Sequence, residues 1–192
     1  MLPSLFIQLD QRAWEAGTGS PDTLGSLRTL TPARRESPKM ATPEFLVIVS
    51  EMFSQNTFVA FSNGSPECLV FDPGLQPEDI IQALETEHLV PSMILITHGH
   101  ADHIGGVSAL KRQWPDCPLV VGRGDAEKLV NPELNLSAGY GMPITSPPAD
   151  RCVDHGEIID AAGFSLEVRD TPGHSQGHVS FLFRDIDPPM VI

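Results

Sequence analysis

The chain has 192 residues, 41% of them hydrophobic and 19% charged, which is enough apolar content for one globular domain with a packed core and too much for disorder throughout. Twenty-five acidic residues against twelve basic ones leave a formal charge of -13, and a surface field of that sign repels polyanions, so nucleic acid is excluded as the expected partner. No apolar run is long enough to span a bilayer and residues 1–12 carry no basic leader, so the expectation is a cytoplasmic chain without a membrane partner.

Residues 1–39 are rich in Gly, Ser, Thr, Pro and Arg and show no sustained apolar period, which predicts a disordered N-terminal extension. The composition shifts at Met40, and the ordered domain is expected over 40–192. From residue 45 the runs "FLVIVSE", "TFVAFS" and "CLVFD", separated by turn residues, predict three consecutive antiparallel strands. "PEDIIQALETEHL" then places Ile80, Ile81, Leu84 and Leu89 at helical spacing behind Pro77 and two acids, the signature of a helix start. "SMILIT" reads as a buried strand, "HIGGVSALKRQW" as a helix over 103–114, and "PLVV" as another short strand. After a Pro- and Gly-rich stretch, "FSLEVRD" and "HVSFLF" read as strands joined by the loop "TPGHSQG", and "PPMVI" as the start of one more. The middle of the chain is therefore α/β. The three cysteines, Cys68, Cys117 and Cys152, are far apart and form no C-x-x-C pair, so they are expected as buried free thiols rather than disulfides or zinc ligands.

One stretch carries chemistry. "ITHGHADHIGG" places His98, His100, Asp102 and His103 within six positions, in a chain with seven histidines. Chance at this chain's own composition gives H-x-H-x-D-H about once in a thousand such sequences. Imidazole and carboxylate are the donors that zinc and its neighbours prefer, and a catalytic site uses about three of them beside an open position. Four donors overfill one such site. Neither a regular strand nor a regular helix gathers all four, because their side chains would diverge. A turn between strand and helix, with small Gly99 and Ala101 between the ligands, can gather them around two neighbouring metals.

This motif at the end of a strand, with "FDPG" before it and "TPGHSQGH" after it, resembles the metallo-β-lactamase superfamily from about residue 45 onward. "NPELNLS" and "PPADR" are most similar to its glyoxalase II-like, hydroxyacylglutathione hydrolase-type branch. The resemblance implies an αββα sandwich and two metal ions, zinc first, with iron or manganese as the other candidates. It implies that His98, His100 and His174 hold the first metal, that Asp102 and His103 supply the second, and that Asp102 has a catalytic role. It also implies hydrolysis of a small-molecule thioester, such as a glutathione conjugate, by metal-activated water. A mononuclear iron persulfide dioxygenase on the same scaffold is the alternative, as is an inactive metal-binding fragment. Asp72 is expected to orient an imidazole; His178 is read as structural, and His155 and His88 are given no functional role. The family's pattern continues with a metal-bridging Asp and a later His, neither of which precedes Ile192. The expectation is a second metal with two protein ligands and an incomplete second half of the sandwich.

Overall fold

The computed structural model describes residues 42–184 and 186–192, so the extension expected over 1–39 lies outside the described residues. Among the described residues ten strands form two sheets. The first contains β1 (Pro43–Val49), β2 (Asn56–Ser62), β3 (Glu67–Phe71), β4 (Val90–Ile96), β5 (Leu119–Gly122) and β6 (Arg151–Val153), in spatial order of sequence. The strands β1 to β3 pair antiparallel, as their short connections allow, and β3 to β6 run parallel. The second sheet is antiparallel, with β7 (Ile158–Ala161), β8 (Phe164–Asp170), β9 (Val179–Phe183) and β10 (Met190–Val191) in the order β10-β9-β8-β7.

Alternation along the central strands sorts their side chains between two cores. Val59, Cys68, Val70, Ile94, Ile96, Leu119 and Val121 face three helices, α1 (Pro77–Thr86), α2 (Ala101–Ile104) and α3 (Val107–Gln113). Ala60, Leu69, Phe71, Leu95 and Val120 face the second sheet and meet Leu166, Val168, Phe181 and Phe183. A strand buried on both faces reads as a continuous apolar run, as "MILI" does. The helices close the first core with Ile80 and Leu84 from α1, Ile104 from α2, and Val107 and Leu110 from α3. Cys68 and Cys117 lie in this core, where burial pushes their thiols up to about 12 and about 11. At those values both are inert hydrophobes, and all three cysteines are free.

The layer order is thus helices, sheet, sheet, with the two sheets face to face as an αββα sandwich requires; among the described residues no helix covers the outer face of the second sheet. Two local expectations change. The helix expected over 103–114 is two helices, because Gly105 and Gly106 are poor helix formers and the Gly106 amide donates to Pro73 O at 2.9 Å instead of continuing the ladder. The stretch before residue 164 also contains β6 and β7, only three and four residues long and too short to show a period. Among the described residues no helix is long and apolar enough to cross a membrane.

Candidate metal centre

Parallel strands end together, and the loops beyond their C-terminal ends converge at one edge of the first sheet. Asp72 follows β3, Thr97 to His100 follow β4, the 3-10 segment Arg123–Leu129 follows β5, and the loop from Thr171 to His178 joins β8 to β9. Val179 N donates to Thr97 O at 2.9 Å, which brings that last loop from the second sheet against the first.

His98, His100 and His174 meet here, with one ligand atom from each lying within 4.8 Å of the others. His100 Nδ1 and His174 Nε2 are 3.1 Å apart although 74 residues separate them. His98 is 3% exposed, and its Nε2 is buried with no hydrogen-bond partner. The tautomer of His98 follows from its neighbours. Asp72 Oδ1 accepts from Thr97 N at 2.7 Å and Oδ2 accepts from the Thr97 hydroxyl at 2.6 Å, so that hydroxyl has no proton left for His98. At 3.1 Å it must accept from His98 Nδ1–H, which leaves the lone pair on Nε2. Burial, then the neighbouring histidines, push His98 down to about 2, and burial followed by Lys128 and His174 lowers His100. A buried imidazole lone pair with two further imidazole nitrogens converging on it is what a borderline metal ion requires, so this donor set fits one.

Asp102 and His103 lie beside this cluster and outside it. His103 Nδ1 is 3.0 Å from Asp72 Oδ2, at ion-pair distance but off the line of a directed hydrogen bond. Burial disfavours the charged form of His103, yet the Asp72 carboxylate beside it holds its pKa above the usual value. Its Nε2 is 3.6 Å from Asp102 Oδ2, and its ring centroid is 4.0 Å from that of His98. Asp72, expected to orient an imidazole, thus touches His103 directly and reaches His98 through Thr97. His178 stacks on His98 with centroids 4.9 Å apart, and its Nδ1 lies 2.8 Å from Thr171 Oγ1. His155 is not among the converging histidines and accepts from the Asp170 amide.

A residue that sequence reasoning missed ties these loops together. Asp125 is fully buried, and its carboxylate accepts from Gly99 N at 2.9 Å, between two of the histidines, and from Gly177 N at 2.9 Å and the Ser175 hydroxyl at 2.7 Å, beside the third. Lys128 Nζ, 3.1 Å away, balances the charge. Burial alone would raise the Asp125 pKa, but these donors, Ser175 foremost, hold it below the usual carboxylate range. The only hint in sequence is an Asp three residues before a Lys just beyond a strand. The glycines of "TPGHSQG" differ in role from one another. Gly173 has open space around it and is required by its φ of +146°, whereas a Cβ on Gly177 would sit 2.3 Å from Asp125 N.

A probable metallo-hydrolase of Bacillus subtilis, YqgX, is 36% identical over 122 residues, covering 63% of this chain and 57% of its own length. A hydroxyacylglutathione hydrolase of Xanthomonas euvesicatoria is 32% identical over 137 residues, covering 71% of this chain and 46% of the other. The crystal structure of the BLEG-1 B3 metallo-beta-lactamase superposes with a TM-score of 0.69 at 35% identity, over 73% of this chain and 67% of that one. The chain spans about half the length of the curated relatives it matches. Residues 52–185 match the metallo-beta-lactamase superfamily as a whole, and with three histidines converging at the end of β4 the chain belongs to that superfamily of metallo-hydrolases.

Proposed function

We propose that the protein is a metal-dependent hydrolase of thioester or related acyl bonds, of the hydroxyacylglutathione hydrolase type. His98, His100 and His174 hold one zinc ion, and Asp102 with His103 Nε2 serves a second. The observation that carries this reading is the convergence of three imidazole nitrogens within 4.8 Å, one of them a buried lone pair with no protein partner. Nitrogen donors without thiolate suit zinc, and iron and manganese accept the same set. The relatives named as hydroxyacylglutathione hydrolases support the thioester class, and the acidic surface speaks against nucleic acid as substrate. Three free thiols fit a reducing cytoplasm.

A bound ion supplies water acidified enough to attack near neutral pH and positive charge for the tetrahedral oxyanion. The chain's own residues do the rest. Thr97, fixed by Asp72, holds His98 in the tautomer whose Nε2 points into the site. The Asp72 carboxylate lies 3.0 Å from His103 Nδ1, and the other ring nitrogen, Nε2, faces Asp102. Asp102 lines the cavity beside His100 and His174, where its carboxylate can orient the attacking water and take up its proton. A thiolate leaves readily, so positioning the carbonyl is the main remaining task. The test is metal analysis of the purified chain with thiol release from lactoylglutathione. Zinc-loaded protein is expected to release thiol, and failure to do so with metal bound, or oxygen consumption with a persulfide by the iron form, would overturn the reading.

A further inference from the structure

Beside the three histidines lies a cavity of about 210 Å³ with His100, Asp102 and His174 at one end. Apart from Asn135 and Ser137, the rest of its wall is formed by apolar and aromatic side chains. Phe53 comes from the turn between β1 and β2, while Leu136, Tyr140, Met142 and Ile144 come from the segment before β6. Phe53, Leu136, Tyr140 and Met142 are each 42–66% exposed, so a large share of the exposed apolar surface gathers at one mouth, as at a binding site rather than on an idle surface. Phe53 and Tyr140 join the two loops edge to face with centroids 5.6 Å apart.

The polar residues in the wall are already satisfied. Asn135 donates to Lys128 O and Ile144 O and accepts from Ser137 N and the Ser137 hydroxyl, which in turn accepts from Ile144 N. Among the described residues no lysine or arginine lines the cavity. Lys128, the cation near His100, is held by Asp125 and Ser175. Away from the histidine end, a bound group would meet mainly hydrocarbon with the Tyr140 hydroxyl at the mouth and, among the described residues, no charge. Two apolar wall residues also hold backbone angles that cost free energy, Phe53 at φ +66° and Leu136 at φ +72°. Such strain in bulky residues concentrates where a side chain must be held toward a ligand.

We propose that this cavity is the acyl subsite and that it selects an uncharged apolar acyl group, aromatic or branched and of about six to eight carbons, since a 150 Å³ apolar cavity already accepts benzene. Phe53, Leu136, Tyr140 and Met142 determine that specificity. The proposal rests on the thioester reading for its substrate, but binding tests it separately. Tyr140 is the chain's one tyrosine, so 3-fluorotyrosine labelling gives a single fluorine resonance at the mouth. The metal-free full chain is titrated with phenylacetyl and lactoyl thioesters of N-acetylcysteamine, which share a neutral thiol. The phenylacetyl ester is expected to shift that resonance with at least tenfold tighter binding. Leu136→Asn, chosen because asparagine tolerates positive φ, and Met142→Glu are each expected to cut that preference about tenfold. Equal binding of the two esters, or a preference unchanged in both variants, overturns the proposal. A preference retained by a metal-loaded protein that hydrolyses neither ester overturns the hydrolase reading and leaves the subsite standing.

Discussion

Two buried carboxylates flank the histidine cluster, and they hold it in different ways. Asp72, at the end of β3, works within the motif loop, with both of its oxygens spent on Thr97 and one also facing His103. Asp125, beyond β5, works between loops, joining Gly99 to Ser175 and Gly177, which lie 26, 50 and 52 residues from it. Asp72 therefore sets which nitrogen of His98 carries the lone pair, while Asp125 sets where the loop of His174 sits relative to that of His98. An imidazole can be mis-set by a proton or by a displacement, and the site guards against each with a separate anchor.

Removing a ligand while keeping both anchors gives the upper bound. His174→Ala is expected to weaken zinc binding by more than about 100-fold in a chelator competition, because two remaining nitrogens leave the ion underligated, whereas His155→Ala changes nothing there. Equal losses at the two positions would break the assignment. Asp125→Ala comes next, as it strips the acceptor from three donors, two of them buried, and leaves Lys128 without its carboxylate. A stability loss of about 3 kcal/mol in urea unfolding of the metal-free chain is expected, with zinc affinity down by about 10- to 100-fold. Asp72→Asn keeps the shape and an acceptor for Thr97 N, so its cost in zinc affinity is expected near 10-fold, with a smaller stability loss. If Thr97→Val reproduces that affinity loss and the double variant adds nothing, the relay through the threonine hydroxyl is established. Additive losses would mean that Asp72 acts through His103 alone.

The contrast between the anchors also shows what a sequence carries. Asp72 was legible because it sits in "FDPG" directly after an apolar strand, and His98, His100, Asp102 and His103 were legible because four donors within six residues are hard to explain otherwise. The burial of β4 was visible in "SMILIT" as an unbroken apolar run. Asp125 was not, since its partners are backbone amides, which are the same at every residue, and since they come from loops that only the fold brings close. The apolar cavity escaped for a related reason. Leu136, Met142 and Ile144 fall in a Pro- and Gly-rich stretch without a period, and Phe53 lies some ninety residues earlier, so their common wall exists only in three dimensions. The break at Gly105 and Gly106 was printed in the sequence, but helical spacing on both sides masked it.

The smallest effect belongs to a third carboxylate, and it sharpens the comparison by lying away from the site. Asp150 Oδ2 accepts from Leu119 N at 2.8 Å and from Lys111 Nζ at 2.9 Å, pinning the start of β5 to the end of α3. Asp150 is about half exposed, so the ion pair is screened, and Asp150→Asn is expected to cost under about 1 kcal/mol in unfolding free energy with no change in zinc affinity. The Leu119 amide, then Lys111, hold the Asp150 carboxyl below its usual range. A depressed carboxyl stabilises the fold fully above its unfolded pKa of about 3.9, and that contribution is lost as pH falls through the lower folded value. The stability gap between wild type and Asp150→Asn should therefore be constant from neutral pH down to about 5 and close below 4. A gap that instead tracked metal loading would mean that β5 transmits strain to Asp125, and the separation between anchoring the fold and anchoring the site would fail.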